Sequence, residues 1–113
     1  MKKYLVIGNP IEHSLSPKLH NYWFRKNNID ANYDKRKIIK SEIQEVISEI
    51  KDNKLDGINV TVPFKNEVIP FLDTLSEESK ITQSVNTIYL HDKKLVGHNT
   101  DIKGFELSLN ETQ

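Results

Sequence analysis

The chain has 113 residues, with 16 basic and 16 acidic side chains and no cysteine. That length predicts one domain able to bury a real core. The balanced charge gives no electrostatic reason to expect nucleic acid or an anionic membrane as a partner. Lack of cysteine excludes disulfides, thiolate nucleophiles and Cys-based zinc sites.

The first apolar run, Tyr4-Leu5-Val6-Ile7, is too short for a signal core or a membrane span. It predicts a central strand of a cytoplasmic protein, closed by the turn Gly8-Asn9-Pro10. Ser16-Pro17 reads as a helix start, with Ser16 as N-cap and Pro17 at the first helical position. Leu15, Leu19, Tyr22 and Trp23 recur at helical spacing, so this helix is expected to bury that stripe and to fade at Asn27-Asn28. A second strand is expected over Ala31 to Ile39.

Ser41-Glu42-Ile43-Gln44 matches a capping box. Behind it, Ile43, Val46, Ile47 and Ile50 fall at i, i+3, i+4 and i+7, which predicts an amphipathic helix. The stretch from Gly57 to Val62 then alternates, with Ile58, Val60 and Val62 on one face and Asn59 and Thr61 on the other. Pro63 stops that ladder and is placed to open a helix, so Lys65 is expected in a first helical turn. Val68, Leu72 and Leu75 extend this helix, with a kink at Pro70. Ser76-Glu77-Glu78 predicts the start of another short helix. Ser84 to Leu90 and Lys94 to Gly97 predict a hairpin around Asp92-Lys93, and a last helix is expected from Asp101. The alternation predicts an α/β fold, a three-layer αβα arrangement around a mostly parallel sheet that includes an antiparallel hairpin strand.

Polar residues gather at the strand ends: Ser14 and Ser16; Asn59, Thr61 and Lys65; Asn86; and Asn99, Thr100 and Asp101. Ligands of open α/β sheets usually sit at such ends. Each residue also has an ordinary reading: Ser16 as a cap, Ser14 as a turn residue, Lys65 as a solvated lysine, Asp101 as a helix cap. Asn86 shares strand parity with Ile88 and Leu90, so it is polar on an apolar face and needs hydrogen-bond partners. Together these hydroxyls, amides, lysine and carboxylate suit a polyhydroxylated small acid, and Lys65 with Asp101 is a plausible proton-handling pair. His13, His20, His91 and His98 lack close metal-ligand spacing, and the isolated glycines form no G-x-G-x-x-G or P-loop. Neither a metal nor a nucleotide cofactor is therefore expected on this chain.

Ser14-Leu15-Ser16-Pro17, Asn59-Val60-Thr61-Val62-Pro63-Phe64-Lys65, Ser84-Val85-Asn86-Thr87 and Asn99-Thr100-Asp101 resemble, in order and spacing, the N-terminal substrate-binding domain of shikimate dehydrogenases. The resemblance implies NADPH-dependent reduction of 3-dehydroshikimate to shikimate, on the route to aromatic amino acids. It implies that Ser14 and Ser16 bind the substrate carboxylate, and that Thr61, Asn86 and Asp101 hold ring hydroxyls. Lys65 and Asp101 would form the catalytic pair, with Asn59 supporting contact residues rather than touching substrate. NADP(H) would be held by a C-terminal Rossmann domain, absent from this sequence, so this chain alone is expected to be inactive. On this reading residues 1–103 are the substrate-binding domain and 104–113 begin the helix between domains. Ile102 departs from the glycine frequent after the family's aspartate. A relative acting on quinate or an amino-substituted analogue, and a stand-alone module binding a small acid, remain open. Oligomeric state is not legible.

Overall fold

The computed structural model describes residues 1–100. Asp101 and the helix predicted from it lie outside the described residues. The N-terminal apolar run becomes β1 (Lys2–Gly8), which has a parallel neighbour on each side: β2 (Ala31–Lys37) and β3 (Gly57–Val60). Burial on both faces explains why this run is continuous rather than alternating. Beyond β3 come β5 (Thr87–His91) and β6 (Lys94–His98), and a two-residue strand, β4 (Thr74–Leu75), closes the far edge. The sheet order is β2-β1-β3-β5-β6-β4. Among the described strands only β5 runs against the others, pairing antiparallel with both β3 and β6. The expected mixed sheet with its hairpin is present. The hairpin turns on Asp92 and Lys93, both at positive φ (50° and 65°), as a two-residue loop of this kind requires.

Helix α2 (Ile43–Lys51) buries the four predicted residues, Ile43, Val46, Ile47 and Ile50. They join Leu5, Ile7, Ile58, Val60 and Ile88 in the main core on one sheet face. Each such side chain contributes roughly 1.5–3 kcal/mol on burial. Arg36 of β2 ties to this helix through Glu49, at 2.6 Å between Nη1 and Oε2. Helix α1 (Ser16–Lys26) covers the opposite face, over β1 and β2, where Val6, Ile11 and Tyr33 form a smaller core with Tyr4 and Phe24. Helix α3 (Glu77–Thr82) starts as predicted, with Ser76 Oγ accepting from the Ser79 N–H.

Several local expectations fail, each for a physical reason. The stripe predicted to be buried on α1 faces outward: Leu15, Leu19, Tyr22 and Trp23 are all exposed. The inward face is carried by His20, Asn21 and Phe24, because Asn21 hydrogen-bonds the β2 backbone and fixes the helix rotation. Ser16 is not the N-cap. That position is Leu15, and the Ser16 N–H instead donates to Ser14 Oγ at 3.3 Å. The capping residues before α2 lie earlier than expected. The chain enters through a 3₁₀ turn (Lys40–Glu42), where the Ile39 N–H donates to Glu42 Oε1.

No α-helix opens at Pro63. The chain makes successive turns and one 3₁₀ segment (Ile69–Phe71), so Lys65 lies in a turn and not at a helix N-terminus. The local bond from Phe64 N–H to Thr61 O begins these turns. Val62 has left the strand and is 72% exposed, so it does not share the buried face of Ile58 and Val60. Leu75, expected in the same helix, belongs to β4.

Candidate functional site

Register brings the polar segments together. Ile7 lies opposite Val60, and Gly8 opposite Lys37, so β1, β2 and β3 end along one edge. Because β5 is reversed, its beginning meets that same edge: Thr87 pairs with Asn59 on one side and with His98 on the other. The loops holding Ser14 and Ser16, Thr61 and Lys65, Asn86, and Asn99 and Thr100 therefore converge there.

Backbone bonds fasten these loops to each other. Thr61 donates both its N–H (2.9 Å) and its Oγ1–H (3.1 Å) to the Ile7 carbonyl. The Asn9 N–H donates to Val62 O at 3.1 Å. The Val85 N–H donates to Lys65 O at 2.8 Å, which joins the lysine turn to the approach of β5. Lys65 itself is partly buried.

Asn86 is buried at 8% exposure, and the partners its parity required are present. Its N–H donates to His98 O, and its carbonyl accepts from the Val60 N–H and from Asn59 Nδ2. Its Oδ1 accepts from Thr100 N (3.0 Å), Thr100 Oγ1 (3.0 Å) and Thr87 Oγ1 (3.1 Å). The protein itself thus saturates that oxygen.

Asn59 faces the protein through both ends of its amide. Nδ2 donates to Asn86 O (3.2 Å) and Thr87 Oγ1 (3.1 Å), while Oδ1 accepts from Tyr33 Oη at 2.6 Å. Tyr33, Thr87 and Thr100 thus belong to the site's polar network. Sequence reasoning gave Tyr33 no such place, although a lone aromatic directly before the charged run Asp34-Lys35-Arg36-Lys37 was a usable signal. Burial pushes the Tyr33 phenol up to about 12.

A groove of about 530 Å³ runs beside the site, lined by Tyr4, His20, Phe24, Tyr33 and Asn59 among others. It meets the site network only at Tyr33 and Asn59, so it is a neighbour of the polar edge and not its ligand cleft.

The turn after β1 does not fit a dinucleotide. Its backbone donors are consumed internally: Asn9 N–H on Val62 O, Ile11 N–H on Glu12 Oε2, and Ser14 N–H on Ile11 O. The backbone N–H groups of Glu12 and Ile11 hold the Glu12 carboxyl below the usual range, so a carboxylate already stands where a phosphate would need donors. The edge instead gathers the hydroxyls of Ser14, Ser16 and Thr61, the Asn86 amide and the Lys65 side chain, groups whose chemistry suits a small anionic polyol better than a pyrophosphate.

A family model described as the shikimate dehydrogenase substrate binding domain matches residues 6–88. The chain is 60% identical over 112 residues to the shikimate dehydrogenase (NADP(+)) of Pelagibacter ubique, covering 99% of this chain and 42% of that protein. To the shikimate dehydrogenase (NADP(+)) of Clostridium beijerinckii it is 43% identical over 113 residues, covering 100% of this chain and 42% of that protein. Among solved structures, shikimate 5-dehydrogenase from Listeria monocytogenes, in complex with shikimate and NAD, matches with a TM-score of 0.88 at 34% identity. That match covers 99% of this chain and 39% of the other. The chain thus spans about two fifths of the length of these relatives. It belongs to the shikimate dehydrogenase substrate-binding domain family.

Proposed function

We propose that the protein carrying this domain is an NADP-dependent shikimate dehydrogenase, reducing 3-dehydroshikimate to shikimate in aromatic amino acid synthesis in the cytoplasm. This chain supplies the substrate half. Residues 1–103 form that half, residues 104–113 begin the connection to a cofactor domain, and the chain is inactive without that domain. The observation that carries the reading is the convergence of four separate polar segments on one sheet edge, fastened by the Thr61–Ile7, Asn9–Val62, Val85–Lys65 and Asn86–His98 backbone bonds.

In this reading Ser14 and Ser16 bind the substrate carboxylate. Thr61, Asn86 and Asp101 orient ring hydroxyls. Asn59 holds Asn86 and Thr87 in place without touching substrate. NADP(H), bound outside this chain, supplies the hydride. As the carbonyl carbon is reduced, negative charge develops on its oxygen, and the Lys65 ammonium stabilises that charge more in the transition state than in the ground state. Lys65 and Asp101 together deliver the proton that oxygen takes up.

The test is NADP⁺-dependent oxidation of shikimate and of quinate by the full-length protein. Turnover of shikimate well above that of quinate is expected. No turnover of shikimate overturns the proposal, and a strong quinate preference replaces it with a quinate dehydrogenase.

A further inference from the structure

The amide of Asn86 is oriented by what surrounds it. The Thr100 N–H can only donate, so the atom 3.0 Å from it must be the carboxamide oxygen. The hydroxyls of Thr100 (3.0 Å) and Thr87 (3.1 Å) each carry one proton, and each gives it to that same oxygen. Thr87 Oγ1 in turn accepts from Asn59 Nδ2 at 3.1 Å. The two hydroxyl oxygens stand 3.4 Å apart with both protons committed, so they are joined only through Asn86. One atom, Asn86 Oδ1, thus grips Thr100 twice, by its backbone and by its side chain.

That grip stands between two other fastenings. One residue before Asn86, the Val85 N–H donates to the Lys65 carbonyl at 2.8 Å. Two residues before Thr100, the His98 carbonyl accepts from the Asn86 N–H at 2.9 Å. The dipeptide Val85-Asn86 therefore holds the Lys65 turn on one side and the exit of β6 on the other. Val85 has no exposed surface and belongs to the main core, so this frame is itself fixed. Asp101 is the next residue after Thr100, and consecutive Cα atoms are about 3.8 Å apart, so whatever fixes the Thr100 backbone fixes where the Asp101 backbone starts.

We propose that Thr100 is a positioning residue for the pair Lys65 and Asp101, registering the backbone that enters Asp101 against the same Val85-Asn86 dipeptide that holds the lysine turn. On the shikimate reading of Lys65 and Asp101, on which this role rests, the two side chains deliver one proton to one oxygen and need a set separation. A displacement of about 1 Å in such a pair costs up to about 10²-fold in rate. The Thr100 N–H alone gives a single bond about which the backbone can pivot; the hydroxyl adds the second and removes that freedom.

The test is Thr100→Val in the full-length protein, beside Thr100→Ala and Thr100→Ser. Valine keeps the shape and the backbone donor and removes only the hydroxyl. It orphans no partner, because Asn86 Oδ1 retains the Thr100 N–H and the Thr87 hydroxyl. Loss of one hydrogen bond that places a reacting group predicts a fall in kcat for shikimate oxidation of about five- to tenfold, with KM within about twofold of wild type. The melting temperature is expected to stay at the wild-type value. Alanine removes the same oxygen without adding a methyl group and is expected to reproduce the fall, so the role stays testable if valine disturbs the fold. Serine restores the hydroxyl and is expected to keep kcat within about twofold of wild type. Active wild type with an unchanged kcat in both Thr100→Val and Thr100→Ala overturns the positioning role alone. A rise in KM with kcat kept overturns it by placing the hydroxyl in substrate binding. An equal loss in Thr100→Ser, or a loss that follows the melting temperature across the three variants, overturns it by making the contribution one of packing. Wild-type protein without shikimate turnover overturns the functional reading and the positioning role together.

Discussion

The hydroxyl of Thr61 occupies the space that a Cβ on residue 8 would fill, so Gly8 and Thr61 can lie together only because position 8 has no side chain. Ile11 Cδ1 and the Val62 carbonyl crowd the same point, each 3.2 Å away. Gly8→Ala must therefore displace Thr61 or bend β1. Thermal denaturation is expected to show a destabilisation of about 1–3 kcal/mol, and shikimate binding to weaken with it.

On the proposed role, in which the Lys65 ammonium stabilises the developing oxyanion, Lys65→Ala in the full-length protein is expected to lower kcat by about 10²–10³ with little change in melting temperature. The backbone bond between Lys65 O and Val85 survives the substitution. Turnover near the wild-type value removes Lys65 from the reaction.

The paired change Ser14→Ala and Ser16→Ala is expected to act differently. A carboxylate remote from the reacting carbon is bound about equally in ground and transition states, so KM rises while kcat is kept. Steady-state kinetics separate the two cases, and a loss confined to kcat contradicts the assignment.

Tyr33 also leaves a mark on alkaline stability. Its phenol titrates at about 12 in the fold against 10.0 ordinarily, so the folded state holds the proton more tightly. The resulting stabilisation is fully present below pH 10 and is lost as the pH rises through 12, and it amounts to on the order of 2 kcal/mol. Subtracting the 295 nm titration of Tyr33→Phe from that of wild type is expected to isolate one tyrosine with a midpoint near 12. A difference curve centred at 10 sinks the assignment.

What was legible in the sequence follows from where independent signals agreed. The β1 run, the four aliphatic residues of α2 and the hairpin at Asp92-Lys93 each combined an apolar pattern with a matching start, stop or turn signal, and all three stand in the structure. Helix α1 carries apolar or aromatic residues on two adjacent faces, so spacing alone could not choose between them. The choice was made by Asn21, a polar residue reaching the β2 backbone over a separation of 12 residues. The helix expected after Pro63 was misread because Val68, Leu72 and Leu75 do keep helical spacing, but pairing of Thr74 and Leu75 with β6 outweighs that weak preference. At the site, Asn86 was recognisable as a polar residue on an apolar face, and its partnership with Asn59 needed the register. Tyr33 was visible only as a strand former, since nothing local shows a phenol reaching across β1 to β3.

The reversed strand β5 sends both ends of the hairpin to the polar edge and its tip to the opposite one. Residues 92–93 are exposed and stand at the far side of the sheet from Asn86 and Thr100. Length can therefore be added there without moving any group at the edge, which makes the Asp92-Lys93 turn the natural point to graft a fluorophore peptide or purification tag while leaving ligand recognition intact.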